Sequence, residues 1–361
     1  MINVGSWSMN VVFLNYHQRS LTGGHQYNDA FLDYLSEISG TTIIKTPSCS
    51  ALYPSWLKPL SPFLELKRLS LFSRNSVVFW EDSAHKYHYL LALITRLVKH
   101  VKSVVIIHHF PFLIENGWKL KLQQFFYSQY LKQIETIIVP SPYTLDLAQQ
   151  LYPQKNIIYI PLPFKQAYCP SDQYEEGCFV YVGTVEPRKG LIYLIEALGI
   201  IKQQVPNKRF TLHIVGEVVD RHYAHQLITR AEQLNIRDDV VLKGRVSDEE
   251  LNDYYQRAEI FTFPSLLEGY GIVLIEAFCR GVPVVCFNNS AMPYTVKDGI
   301  NGLVAENRDA QSLAEKIMLL SGNQSLRKKF QEGIAKTMQE LKTQEDFESG
   351  VRDMFESIKC P

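Results

Sequence analysis

Two carboxylates in one short stretch are the first candidates for chemistry. Glu268 and Glu276 stand eight positions apart in FPSLLEGYGIVLIEAFCRGVPVV, residues 263–285. Gly269 and Gly271 follow the first carboxylate, and glycine there permits a tight turn and close approach of a ligand. The β-rich run Ile260–Ser265 reads as a strand and Ile272–Cys279 as a helix. Gly281 lies where that helix stops, and the Pro-Val-Val-Cys run opens the next strand. A helix that opens just after a strand offers free backbone N–H groups and the positive end of its dipole to an anion.

Three further groups have types suited to the same chemistry. Arg188 and Lys189 sit between the strand Cys178–Gly183 and the helix Leu191–Gln204. Two cations beside a helix start suit a diphosphate; a solvated pair in a turn is the plainer reading. Gly23 and Gly24 follow the apolar run Met9–Tyr16 and precede a helix through Ser36, a place where open α/β sheets present amides to phosphate. His108 and His109 end the strand Ser103–His108. Paired carboxylates also raise glycoside hydrolysis, in which the two carboxyl groups stand about 5–9.5 Å apart. Eight residues of helix would separate Glu268 and Glu276 by roughly 12 Å, so two separate hydroxyl contacts, one to a sugar and one to a ribose, are the better expectation.

Alternating elements must position these groups. Strands are expected at Met9–Tyr16, Thr42–Lys45, Ser76–Glu81, Ser103–His108, Thr136–Pro140 and Ile157–Ile160, with helices between most of them. Residues 161–177 carry Pro161, Pro163 and Pro170, show no periodicity and read as a linker. A second series follows from Cys178, and Ser247-Asp-Glu-Glu250 is a capping box that opens a helix to Ala258. Strands alternating with helices imply right-handed crossovers and parallel sheets, whose ligands gather beyond the carboxyl ends of the strands. Two doubly wound halves with a cleft between them are expected.

Composition sets limits. The chain has 361 residues with 37 Lys/Arg against 37 Asp/Glu, so no bulk charge favours a nucleic-acid partner. The balance is uneven: 15 cations against 9 acids through Lys165, then 22 against 28, which fits two domains. Cys49, Cys169, Cys178, Cys279, Cys286 and Cys360 form no CxxC pair, so neither a zinc site nor a disulfide scaffold is expected. The N-terminus lacks a signal-peptide pattern, and the apolar segment 87–107 is interrupted by Arg96, Lys99, His100 and Lys102. A reducing, cytoplasmic location is the expectation.

The motifs together resemble a family. EGYGIVLIEAFCRGVPVV, with Glu268 and Glu276 as its E-x7-E pair, resembles the signature of family-4 retaining glycosyltransferases, the glycosyl transferases group 1 with the GT-B fold. YVGTVEPRKG (181–190) is similar to their phosphate-binding turn, GRVSDEEL (244–251) to the segment against the nucleotide base, and DGINGLV (298–304) to their late loop. The first half matches through the glycine pair, the histidine after Ile106-Ile107, and SPYT at Ser141. The resemblance implies an α/β fold of two Rossmann-like doubly wound domains facing a cleft. Residues 1–164 would bind the acceptor, residues 165–340 the nucleotide sugar, and a helix in 341–361 would pack back on the first domain.

It also implies roles. Glu276 would bond the ribose hydroxyls and Glu268 the transferred sugar near the reacting centre. Arg188 and Lys189 would hold the diphosphate. Gly24 would present its amide to phosphate or sugar, Gly244, Arg245 and Val246 would face the base, and His108 would meet the sugar or the acceptor hydroxyl. Gly23, Gly183, Gly269, Tyr270, Gly271 and Ile272 complete the implied donor site. One departure is Thr184, which follows Gly183 where many relatives carry arginine; Arg188 would supply that cation from the turn. No DxD triplet stands in a suitable loop, so metal-independent transfer to a hydroxyl of a glycan, lipid-linked or small-molecule acceptor is expected, with no cofactor beyond the donor. A nucleotide-sugar epimerase and a catalytically silent sugar-nucleotide-binding scaffold are the rival readings. Residues 56–74 mix Trp, Phe and Leu with Lys58, Lys67, Arg68 and Arg74. Peripheral contact with the inner membrane face through this segment is weighed against a loop packed on the first domain, and the loop is favoured.

Overall fold

The computed structural model describes residues 11–16, 23–39, 43–47, 64, 66–68, 76–81, 85–97, 101–110, 113, 117–164, 167–171 and 173–359. Cys49, Cys360 and most of the 56–74 segment lie outside them. The chain divides into two units, Met1–Phe164 with Lys342–Pro361, and Lys165–Leu341.

In the first unit, strands β1 (Val11–Tyr16), β2 (Ile43–Pro47), β3 (Val77–Glu81), β4 (Lys102–Ile106), β5 (Thr136–Val139) and β6 (Asn156–Tyr159) pair in the order β2-β1-β3-β4-β5-β6. All pairings are parallel. Helices α1 (Gly23–Ser39), α2 (His85–Leu97), α3 (Gly117–Leu131) and α4 (Pro142–Leu151) are the crossovers. β3, β4 and β5 are buried almost throughout, the reason they read as unbroken apolar runs. Gly23 and Gly24 are the first residues of α1, not a loop ahead of it as the sequence suggests.

The second unit repeats the plan with β7 (Cys178–Val182), β8 (Thr211–Val215), β9 (Val240–Gly244), β10 (Ile260–Phe263), β11 (Val284–Phe287) and β12 (Gly302–Ala305). Their parallel order is β12-β11-β10-β7-β8-β9. The helices are α5 (Leu191–Gln204), α6 (Arg221–Gln233), α7 (Asp248–Arg257), α8 (Ile272–Cys279), α9 (Ala310–Leu320) and α10 (Gln324–Glu340). Both halves of the expected capping box form at the start of α7. The chain winds outward from β7 to β9, then returns to lay β10 on the other side of β7. Ligands of such sheets bind where the winding reverses, which is beyond the carboxyl ends of β7 and β10.

Three elements escape the sequence reading, one of them a four-residue helix over Met292–Thr295. DGINGLV contains not only a turn but the start of β12. α10 was not expected because few of its residues are apolar. It is held by tertiary packing: Phe330 and Ile334 are fully buried, and a Cβ at Gly333 would lie 2.1 Å from the Ile300 carbonyl oxygen, so the helix approaches at a distance only glycine permits. The last helix, α11 (Gln344–Lys359), belongs to the first unit. It packs on α1 through Phe347 against Tyr27, ring centroids 5.9 Å apart, and Arg352 donates to the Tyr34 hydroxyl at 2.8 Å.

Candidate functional site

The residues singled out in the sequence fall into two groups, one in each unit. In the second unit Gly183 directly follows β7, and its N–H donates to the Val215 carbonyl at 2.9 Å. Gly216 directly follows β8, and its N–H donates to the Gly244 carbonyl at 2.8 Å. Gly183, Gly216 and Gly244 have φ of 151°, 144° and 70°. Three bare backbones therefore stand side by side at the ends of β7, β8 and β9. A Cβ at Gly216 would sit 2.0 Å from the Gly183 oxygen. Gly216 was missed in the sequence, although IVG at the end of β8 repeats the VG that ends β7.

After Gly183 the chain makes a single 3₁₀ turn over Pro187–Lys189 and closes in left-handed Gly190. The Leu266 N–H donates to the Arg188 carbonyl at 2.9 Å, which fastens this turn to the loop beyond β10. Lys189 is the result of that fastening: a 9 % exposed lysine whose Nζ lies 2.6 Å from Glu268 Oε1. Ser265 Oγ donates to the same oxygen at 2.7 Å, and Arg188 Nη1 lies 3.5 Å from it. Burial would push the Glu268 carboxyl up, but Lys189 and Arg188 outweigh it and hold the group below the ordinary carboxylate range. Glu268 is therefore an anion at neutral pH. Oε1 takes all of these donors, and among the described residues Oε2 takes none.

Arg188 is less free than its partner. Its Nη1 donates to the Leu267 carbonyl at 2.8 Å and its Nη2 to Glu186 Oε1 at 2.9 Å. Thr184 Oγ1 donates to that same Glu186 oxygen at 2.8 Å. The departure at Thr184 thus feeds a chain, Thr184 to Glu186 to Arg188, that orients the guanidinium.

The separation of Glu268 and Glu276 needs correction. α8 begins only at Ile272, so Glu268 lies in the preceding loop and eight residues of helix do not lie between the two carboxylates. Left-handed Gly271, φ 81°, caps α8 with no side-chain hydrogen bond, which leaves its first amides to a ligand or water. Ile272, Gly269 and Tyr270 are half-buried around this turn. Glu276, one turn into α8, accepts from the Tyr255 hydroxyl at 2.7 Å. Burial, with Asp248 adding to it, raises its carboxyl above the ordinary value, against that hydrogen bond and Arg280. Tyr255→Phe should cost about 1.5–3 kcal/mol of stability, the worth of a hydrogen bond to a charged group; a denaturant melt equal to the parent would show that Glu276 does not depend on it. Arg245 is exposed and Val246 packs on the core edge.

The other group lies in the first unit. His108 Nε2 is 2.9 Å from Asn28 Oδ1, an acceptor, so the shared proton sits on Nε2 and Nδ1 is left to accept. Its ring stands edge-on to Tyr27. A Cβ at Gly24 would lie 3.1 Å from His108 Cδ2, so the small residue at the start of α1 makes room for the imidazole. Burial, with His109 and His25 beside it, lowers the His108 pKa to about 4 despite Glu81, so the ring is neutral at pH 7. His109 is half-exposed beside it. Asn28 and Glu81 are both buried, and Asn28 was not singled out from sequence.

A separate open pocket of about 410 Å³, lined by Asn288, Lys297, Asp298, Glu306, Ser312 and Lys316, contains none of these residues. Among the described residues, no three or more His, Cys, Asp or Glu side chains are grouped to hold a metal ion.

Residues 172–337 match the family described as glycosyl transferases group 1. The second unit is a glycosyl transferases group 1 domain. It contains every residue of the Lys189–Glu268 group and both carboxylates. The chain is 29 % identical over 180 residues to the O-antigen chain mannosyltransferase B of Escherichia coli, an alignment covering 46 % of each protein. The chain thus spans about half the length of that curated relative. Among solved structures it is similar to a sucrose-phosphate synthase from Thermosynechococcus elongatus, TM-score 0.74 at 16 % identity, covering 98 % of this chain and 99 % of that one. It is also similar to Anabaena HepE in complex with UDP and glucose, TM-score 0.71 at 16 % identity, covering 97 % and 100 %. These likenesses establish the fold of both units as GT-B.

Proposed function

We propose that this chain is a retaining, metal-independent glycosyltransferase that moves a sugar from a nucleoside-diphosphate sugar to a hydroxyl of a glycan or lipid-linked acceptor. The observation that carries the proposal is the ionised Glu268 held by Lys189 and Arg188 at the point where the group 1 domain reverses its winding. Pairing of two cations with one carboxylate keeps both cations in place, with Lys189 buried, until a more highly charged anion arrives. A diphosphate carries more charge than a carboxylate, so it competes for Lys189 Nζ and receives a donor already in place. Fixed cations aimed at developing charge on the leaving diphosphate lower the barrier without reorganising at the moment of reaction.

The remaining roles follow from the local chemistry. Gly183, Gly216 and Gly244 present backbone to the nucleotide, and the uncapped start of α8 adds amides at Gly271 and Ile272. Glu276, oriented by Tyr255, takes the ribose hydroxyls. Glu268 Oε2 accepts from a hydroxyl of the transferred sugar. Neutral His108, with Nδ1 free to accept, serves the sugar or acceptor hydroxyl from the first unit, beside the Gly24 amide. The O-antigen relative and the neighbour holding UDP and glucose are in keeping with sugar transfer from a nucleotide donor.

The test is a thermal-shift screen against UDP-, GDP- and ADP-sugars, followed by assay of nucleoside diphosphate release with and without a chelator. A ligand present at a hundredfold its Kd stabilises the folded protein by about 2.7 kcal/mol. One donor class should raise the melting temperature and turn over equally in the chelator. Stabilisation by none of the donors would sink the reading. Binding without turnover for any acceptor class would favour a silent scaffold, and a changed sugar released without acceptor would favour epimerisation.

A further inference from the structure

The first unit carries a second feature that the donor chemistry leaves unused. α2 and α3 pack side by side on its sheet, and Arg96 at the end of α2 donates to Gln133 just beyond α3 at 3.2 Å. The inner faces are ordinary core: Leu91, Ala92, Tyr127, Tyr130 and Leu131 are fully buried. The outer faces are not ordinary surface. Leu93 and Leu97, one turn apart on α2, are 42 % and 74 % exposed, and Leu122, Phe125 and Phe126 on α3 are 46 %, 57 % and 43 % exposed. Among the described residues thirteen large apolar side chains are exposed, and six of them fall between Leu93 and Phe126. A surface helix normally confines its apolar residues to one stripe; α3 carries them on both sides.

Charge says what could cover this face. Neither α2 nor α3 contains an acidic residue. From Ser83 to Ile134 the chain has seven Lys/Arg and a single acid, Glu115. Arg96, Lys121 and Lys132 are exposed beside the apolar side chains. Apolar anchors with an excess of cations among them, seven against Glu115 in this stretch with Glu135 just beyond it, fit an interface that is apolar within and anionic at its surface.

We infer that the outer face of α2 and α3 docks this protein on an anionic lipid surface. Phe125 and Phe126 enter the acyl boundary, where their rings leave water, and the lysines meet the anionic headgroups. The cations of this face do not include Arg68 of the 56–74 segment, which is buried and donates to Thr46 Oγ1 at 2.6 Å. No helix of the described residues is long and apolar enough to cross a membrane, so the contact is peripheral. The inference stands on the first unit alone and does not depend on the proposed reaction.

Sedimentation of the full chain with vesicles tests it, using phosphatidylcholine alone and phosphatidylcholine with about one-third phosphatidylglycerol. The chain should bind the anionic vesicles at least tenfold more strongly. The double variant Phe125→Ser/Phe126→Ser should lose at least tenfold in partitioning while keeping its circular dichroism and melting temperature. If that variant fails to fold, Lys121→Glu/Lys132→Glu, which leaves the apolar side chains in place, decides: it should bind anionic vesicles at least tenfold less. Absence of binding to anionic vesicles, or variants that bind as the parent does, overturns the inference. So does a parent dimer that the double variant converts to monomer, because a second copy would then cover the face.

Discussion

Lys189→Met should lower kcat/KM by about 10²–10³-fold, the usual cost of removing one fixed donor from a developing anion. The same change should destabilise the apo protein. Lys189 and Glu268 are 11 % and 13 % exposed at the side chain, with 2.6 Å between Nζ and Oε1, so truncating one leaves the other charged and poorly solvated. Ser265 and the more distant Arg188 remain, which keeps the loss below that of a fully buried pair, at about 1–3 kcal/mol.

The pH dependence of that loss has a definite sign. Burial raises the Glu268 carboxyl, and Lys189 is the largest of the influences that lower it. The net folded-state pKa is below the unfolded one, so the stabilisation is fully present above the unfolded value. It disappears as pH falls through the folded value. The difference in melting temperature between parent and variant should therefore be greatest near neutral pH and shrink in acid. Glu268→Gln keeps the shape and removes the charge; turnover should fall strongly while donor binding persists, because Lys189 is then free for the diphosphate. Full turnover in either variant would refute the assigned roles.

Gly216→Ala should be the most damaging single methyl in the domain. Its φ of 144° lies where essentially only glycine settles, at a cost of about 1–3 kcal/mol for other residues. The new Cβ would also lie 2.0 Å from the Gly183 oxygen and 2.7 Å from its carbonyl carbon. Backbone held by the Gly183 and Gly216 N–H bonds to Val215 and Gly244 yields little, so overpacking adds about 1–3 kcal/mol more. Gly244→Ala is the matched control. Its φ is 70° with nothing within 4 Å of the new Cβ, so only the left-handed penalty of about 1–2 kcal/mol applies. Chemical denaturation of the two variants separates crowding from backbone strain. Equal losses would mean that β7 and β8 part to accommodate the methyl.

The site was legible in sequence as far as its charges go and no further. Lys189, Arg188 and Glu268 were readable because a cation pair and a carboxylate each follow an apolar strand and precede a helix. Ser265, Glu186, Tyr255 and Asn28 were not, because a hydroxyl, a carboxylate or an amide gains its role only from what folding sets within 3 Å of it. The helix Ile272–Cys279 was legible with its bounds, and the error lay in counting helical rise from Glu268, which stands in the loop ahead of left-handed Gly271. α10 was passed over because its apolar stripe is sparse, Leu326, Phe330, Ile334 and Met338 at four-residue spacing, and because the close approach at Gly333 that seats it is set only by folding.

The sequence by itself determined that this protein is built from two parallel α/β sheets, because strands buried on both faces must be apolar throughout and crossover helices must alternate with them. It also determined which side chains carry charge near the strand ends. Only the tertiary structure decided which of them meet. Strand order is a long-range property: β10 lies beside β7 although 77 residues separate Val182 from Ile260. That adjacency closes Lys189 on Glu268. The exposed phenylalanines of α3 were likewise apolar residues like any others until packing turned Tyr127 and Tyr130 inward and left Phe125 and Phe126 outside.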